Sequence, residues 1–325
     1  MDNVLLMSNN TLYLLLSTIL CFMDVLSDIL SKVKLSSVVY FKSDFSAPWG
    51  MDVPKGPFAQ FHIVTHGQCV LKTKNEIIQL FRGDIIVFPF GASHWLANDE
   101  GSRLYNGQEV VDSILSGISL FEGDTISATL VCGHFDFDRN MDHPFIKELP
   151  AMIKISESDV KQFYWLRNIT DLVIDEATKE QSGSTVIVNK LGEILFIHTL
   201  RAYIEKNKST SGFIAAIQDV RISRVLKEIH SFPENDWQLE QLAQIAGMSR
   251  TSFANRFKSL LGETPFNYLT QWRIIQAKEL LAENSLSVGE VALQVGYKSE
   301  AAFNRVFKKR VEQTPLKFRQ NVLVS

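Results

Sequence analysis

Residues 247–269 read GMSRTSFANRFKSLLGETPFNYL, and about fifty residues later the chain reads GYKSEAAFNRVFKKRVEQTPLKF. An internal echo of this kind requires one small supersecondary unit to be built twice. In the first copy Phe253, Phe257 and Leu260 fall at i, i+4 and i+7, the spacing of one buried helix face. Arg250, Thr251, Asn255 and Lys258 are then left on the outer face. LEQLAQIA (239–246) forms a short preceding helix, and Gly247 supplies the turn because it takes positive φ without a Cβ clash. Ser249 is placed to cap the second helix. Two short helices joined by a Gly-bearing turn, the second basic outside and apolar inside, predict a helix-turn-helix over 239–261.

The second copy follows the same plan over 288–310. Ser287 and Glu290 make a capping box, and Ala292 and Gly296 match Ala243 and Gly247 at an offset of 49. The turn GYKS is one residue longer than GMS, so the offset becomes 50 for Ser249/Ser299, Phe253/Phe303, Phe257/Phe307, Lys258/Lys308 and Thr264/Thr314. Its outer face carries Glu300, Ala301, Asn304, Arg305 and Lys308. Position 256 is Arg where the second copy has Val306, so Arg256 is expected to be partly buried and is not assigned to the outer face. Between the copies Thr264 caps a helix with Pro265 at its first position. Residues 265–282 predict a rod of roughly 27 Å, which suits two recognition helices in successive major grooves about 34 Å apart. The charge distribution agrees. From Ile217 onward 15 Lys and Arg face 11 Asp and Glu, whereas residues 1–216 hold 18 against 25. A basic third on an acidic chain points to a polyanionic partner for that third.

The stretch WQLEQLAQIAGMSRTSFANRFKSLLGETPFNYLTQWRIIQAKELLAENSLSVGEVALQVGYKSEAAFNRVFKKRVEQTP closely resembles the DNA-binding domain of AraC/XylS-type transcriptional regulators, over about residues 217–321. The resemblance implies a seven-helix domain that binds double-stranded promoter DNA, with RNA polymerase as a further partner if the protein activates. This chain departs from the pattern at Glu312, where Gly is usual, at Gln238, where Thr or Ser caps, and at Asn255, where Arg is common. The first two departures bear on local stability and the third on base preference.

Residues 36–135 are rich in short β-branched and aromatic runs (VVYF, FAQFHIV, QCVLKT, IIQLF, DIIVFPF, ATLVCGHFDF) punctuated by Gly, Pro, Asn and Asp, which predicts a sandwich or barrel. The more polar residues 98–117 read as a loop. GDIIVFPFGASHWLAN (83–98) matches G-x5-P-x-G-x2-H-x3-N, the second motif of cupin barrels, and that resemblance makes His94 the counterpart of a metal ligand. The first motif is largely absent: Gln60 stands where Glu is expected and no HxH lies upstream. His62 and His66 flank HIVTH, and an i, i+4 pair shares a strand face only if the strand is regular. A metal needs at least three suitable ligands, so His94 reads as a structural or ligand-contacting residue. Together with SAPWGMDVPKGPFAQFHIVTHGQCVLK and HPFIKELPAMIKI, the motif resembles the cupin-type sensor of one branch of AraC-type regulators, over about 24–205. This implies effector sensing or dimerisation, with His62, His94 and Trp95 as effector-pocket candidates.

ESDVKQFYWLRNITDLVIDEA and STVIVNKLGEILFIHTLRAYIEK carry helical periodicity, and they serve either as packing on the barrel or as a dimer interface. KNKSTSG (206–212) reads as a linker. The apolar run 12–23 is too short to span a bilayer, and no basic residue precedes it as a secretory signal requires. MDVLSDILSKVKL, opening at Met23, is the expected natural start, with residues 1–22 a non-native extension. Cys21, Cys69 and Cys132 have no metal-like spacing and read as reduced thiols of a cytoplasmic protein.

The sequence therefore predicts an α+β multidomain chain. A cupin-like barrel spans 23–140, a helical dimerisation and linker region 141–212, and an all-α DNA-binding domain with two helix-turn-helix units 213–325. The expected function is sequence-specific transcriptional regulation, by a homodimer with a small-molecule effector, no membrane association, no cofactor, no metal and no catalytic residues. The rival reading is a metal-dependent cupin enzyme fused to a DNA-binding domain, and metal analysis of purified protein discriminates between the two.

Overall fold

The computed structural model describes residues 24–324 apart from 119, 122, 139, 140 and 180. The stretch 12–23 and the proposed start at Met23 lie outside the described residues. In chain order, helix α1 (Val25–Lys32) precedes strands β1 (Ser36–Ala47), β2 (Gly50–Val53), β3 (Ala59–Lys72), β4 (Ile77–Phe81), β5 (Ile85–Phe88), β6 (His94–Ala97) and β7 (Tyr105–Asn106). Helix α2 (Gly107–Leu115), β8 (Thr125–Asp136), α3 (Pro144–Lys147) and β9 (Ile153–Ile155) follow. The rest is helical: α4 (Glu157–Gln162), α5 (Tyr164–Glu176), α6 (Ser184–Lys206), α7 (Gly212–Gln218), α8 (Val220–Ser231), α9 (Leu239–Ile245), α10 (Arg250–Leu261), α11 (Pro265–Glu283), α12 (Val288–Gln294), α13 (Glu300–Val311) and α14 (Pro315–Val324). The described residues form two compact units. One comprises those within 34–139 and 149–208, the other those up to Val33, within 140–148, and from Ser209 onward.

The first unit is a curled sheet organised by β3. The runs FAQFHIV and QCVLKT, separate in the sequence reading, are one long strand. Its first half pairs with β5 and β8, its second with β4 and β6. The change of partners occurs at a register shift between Val64 and His66, followed by Gly67 at φ 68°. A Cβ on Gly67 would lie 1.9 Å from the Ser127 carbonyl oxygen, so the bulge closes only on glycine. Phe41, Phe45, Trp49, Leu71, Phe88, Leu96 and Leu130 fill the curl. Within 98–117, read as loop, β7 and α2 form instead. Asn106 caps α2 by accepting from the Gln108 amide at 2.9 Å, and Val110 is fully buried. Helix α6 lies against β1 because Gly192 has no side chain: a Cβ there would meet Ser37 Oγ at 2.3 Å. Asn189 Oδ1 accepts from the Val39 amide at 3.0 Å along the same contact.

The second unit is all-helical, and its core is not confined to the C-terminal third. Helix α1 packs on α8 and α11, and Lys32 Nζ pairs with Glu279 Oε2 at 2.5 Å. His143, just ahead of α3, is buried against Phe213, Tyr268 and Trp272. The Phe145 amide donates to His143 Nδ1 at 3.1 Å, so the ring proton sits on Nε2 and is given to Tyr268 Oη at 3.0 Å. Tyr268 then donates to His230 Nε2 at 2.7 Å, and the Nδ1 proton of His230 faces Asp28 Oδ2 at 3.4 Å. Trp272 stacks on His230 at 3.7 Å. Residues from three sequence-distant segments thus form one buried hydrogen-bond chain, whose His230 end faces Asp28 without a hydrogen bond.

Candidate nucleic-acid interface and barrel interior

The two helix-turn-helix copies share one local architecture. Gly247 (φ 63°) and Gly296 (φ 89°) end α9 and α12 in the left-handed region. The following amides reach back over the turn: Met248 donates to the Ala243 carbonyl at 2.9 Å, Tyr297 to the Ala292 carbonyl at 2.8 Å. Ser249 and Ser299 cap α10 and α13 by accepting from the amides of Ser252 and Ala302 at 3.3 and 3.2 Å. The extra residue of the second turn, Lys298, pairs with Asp236 at 2.8 Å. Phe253, Phe257, Phe303 and Phe307 are all fully buried, which turns the opposite faces of both helices to solvent. Thr264, with Pro265 behind it, opens the 19-residue α11 as expected.

That geometry places every assigned outer-face residue on α10 or α13. Thr251, Asn255 and Lys258 are exposed, as are Glu300, Arg305 and Lys308; Asn304 is half-buried. Among the described residues, Lys258, Arg305 and Lys308 have no ion-pair partner. Asn304 Oδ1 is buried with no hydrogen-bond partner. Arg250 differs, since its guanidinium donates to Glu240 of α9. The expectation for Arg256 is corrected. It is exposed rather than partly buried, and it is held by the Asp219 carboxylate through Nε at 3.0 Å and Nη2 at 2.8 Å. Asp219 also caps α8, so Arg256 is committed to structure by a partner 37 residues away that spacing does not reveal. Spacing does not reveal a second pin either: Arg273 of α11 donates to the carbonyls of Pro233 at 2.7 Å and Asn235 at 2.9 Å.

In the barrel, His62 and His94 come together, buried, with Nε2 atoms 2.8 Å apart. The protons can be placed. His94 Nδ1 donates to the Ala92 carbonyl at 2.8 Å, so its Nε2 accepts from His62 Nε2. His62 Nδ1 is therefore an acceptor, and the Cys132 thiol donates to it at 3.1 Å. Burial lowers the pKa of both rings, that of His94 to about 4, and raises that of the Cys132 thiol. Phe88 stacks on His94 at 3.8 Å. Trp95 is not part of this group. Alternation along β6 turns it to the other face, beside its cross-strand neighbours Lys72 and Asp52, with Lys72 Nζ 5.6 Å from its ring. The bulge after Val64 likewise sends His66 outward, where it borders a cleft of about 560 Å³ with Lys42, Arg82 and Arg167. The donor set does not fit a catalytic metal: two ring nitrogens converge, and the described residues hold no cluster of three His, Cys, Asp or Glu that could bind one. Among them, no helix is long and apolar enough to cross a membrane.

The cupin family matches residues 24–205, and a helix-turn-helix domain family matches residues 242–321. The HTH-type transcriptional regulator AlkR of Acinetobacter baylyi is 30% identical over 92% of this chain and 99% of its own length. A putative AraC-like transcription regulator of Streptomyces antibioticus is 28% identical over the same shares. The crystal structure of the DNA-binding domain of AdpA with a target DNA is 33% identical, covers 31% of this chain and 90% of that one, and has a TM-score of 0.30. With a cupin domain followed by a duplicated helix-turn-helix, and such a relative along its length, the chain belongs to the AraC-type DNA-binding transcriptional regulators.

Proposed function

We propose that α10 and α13 enter successive major grooves of promoter DNA, presenting Arg250, Thr251, Asn255 and Lys258 from one helix and Glu300, Asn304, Arg305 and Lys308 from the other. The observation that carries this is the combination of fully buried phenylalanines with exposed cations on the opposite face of each helix, of which Lys258, Arg305 and Lys308 have no ion-pair partner among the described residues. Such cations contact phosphates and base edges. The barrel unit, in this reading, senses a small molecule or dimerises. Val186, Ile187 and Ile194 of α6 and Leu172 of α5 leave apolar side chains exposed that a second copy would cover. Loss of RNA polymerase recruitment is the expected phenotype of promoter-binding variants if the protein activates, and its site of action is the cytoplasm. Replacing Arg250 or Arg305 by Ala should weaken binding to the cognate promoter by about 1–3 kcal/mol where the side chain reads a base. A gel-shift titration in which both variants bind as tightly as the unmodified chain would refute those assignments. Sedimentation showing only monomer at micromolar concentration would refute the dimer.

A further inference from the structure

The two recognition helices belong to two copies of one repeated unit, so a difference between them at one structural position is an internal comparison. The first residue of α10 is Arg250 and the first of α13 is Glu300. Each follows its N-cap serine, is exposed, and reaches the second residue of the preceding helix. In the first copy that second residue is Glu240, which accepts from Arg250. In the second copy it is Gly289, and a Cβ built there would lie 3.0 Å from Glu300 Oε2. A glutamate at 289 would set two carboxylates side by side. The two copies differ at both positions: Glu240 with Arg250 in one, Gly289 with Glu300 in the other.

Residues at the start of a recognition helix reach base edges. An arginine fork matches the guanine O6 and N7 acceptors, whereas a carboxylate accepts from the cytosine N4 amine. A carboxylate among phosphates also lowers affinity for every duplex that does not offer it a donor, which makes it selective by exclusion. We propose that Arg250 reads a guanine in one groove, that Glu300 reads a cytosine in the next, and that Glu240 is a positioning residue for the Arg250 fork. The operator is then chemically asymmetric, and this pair sets which way round the chain lies on it. The inference rests on the groove reading above.

The test is selection from a randomised duplex library by the full-length chain. Arg250→Ala should abolish a guanine preference at one base pair, and Glu300→Ala a cytosine preference at another about one helical turn away. Each loss should be roughly tenfold or more in discrimination. Glu300→Gln should move the second preference towards adenine, whose N6 and N7 suit an amide. Glu240→Gln should weaken the Arg250 base preference and leave the Glu300 preference in place, with melting temperature unchanged. A selected sequence indifferent to Glu300→Ala, or altered at the same base pair by both alanine variants, overturns the base assignments. A Glu240→Gln chain that melts earlier but selects the same sequence overturns the positioning role. If the unmodified chain enriches no sequence, the groove reading fails and takes the inference with it.

Discussion

Each unit contains a buried hydrogen-bond chain in which every histidine must be neutral and in one tautomer. In the barrel it runs from the Cys132 thiol through His62 and His94 to the Ala92 carbonyl. In the helical unit it runs from the Phe145 amide through His143, Tyr268 and His230 towards Asp28. Burial lowers all four histidine pKa values, and Asp28 only partly offsets this at His230. A pKa below its unfolded value means the unfolded chain takes up protons first. Stability is therefore full above about pH 6.5 and falls as the pH drops towards the folded values, which for His94 is about 4. For His94 the expected loss is about 1.4 kcal/mol for each pH unit between 6.5 and about 4, and the other three add losses of the same sign. Urea melts of the whole chain at pH 7.5, 6.5 and 5.5 check this, and a midpoint that does not move below pH 6.5 contradicts it. Little of either chain was legible in sequence. His62 and His94 were singled out, but Cys132 is 70 residues from His62 and Tyr268 is 125 from His143, and no local period joins them. Trp95 could have been set aside from sequence, because strand alternation already places it opposite His94.

At the scale of elements the repeat was readable because burial imposes a period. Phe253, Phe257 and Leu260 mark the inner face whatever surrounds them, and the caps at Ser249 and Thr264 follow from local backbone chemistry. What was missed had weaker signals. Helix α2 hides in a polar stretch with Val110, Val111, Ile114 and Leu115 as its apolar residues, and the bulge that interrupts β3 looks like a turn. Glu312 was recognised as a departure, and the structure shows its consequence. It sits at φ 62° where Gly262 of the first copy sits at φ 74°, and both amides donate to the carbonyl four residues back. A side chain in that region costs about 1–2 kcal/mol, part of which glycine returns as unfolded-state entropy. Glu312→Gly should therefore stabilise the helical unit by about 0.5–1 kcal/mol, and Gly262→Ala should destabilise it by about 1 kcal/mol. Thermal melts of the two variants should shift in opposite directions, and a lower melting temperature for Glu312→Gly would contradict the strain assignment.

At the scale of the whole chain, the change from strand to helical pattern was visible, but membership of the compact units was not. Helix α1 and the segment around His143 belong with the C-terminal helices, although both flank the barrel in sequence. The contacts responsible, Lys32 with Glu279 and His143 with Tyr268, join residues whose partners only the folded chain reveals. The charge split was legible, and it bears on how the protein meets DNA. With −7 before Ile217 and +4 after it, attraction must come from local cations rather than net charge. Lys258 and Lys308 occupy equivalent places in the last turns of α10 and α13, exposed and without an ion-pair partner among the described residues. If each meets a phosphate, replacing either by Ala should reduce the salt slope of log K by about 0.9, and replacing both by about twice that. The loss should be uniform across sequences, unlike a change at Arg250 or Glu300, because a phosphate contact carries no base information. Affinity for cognate and scrambled duplexes measured from 50 to 200 mM salt separates the two behaviours. A double variant with an unaltered slope would remove both lysines from the interface.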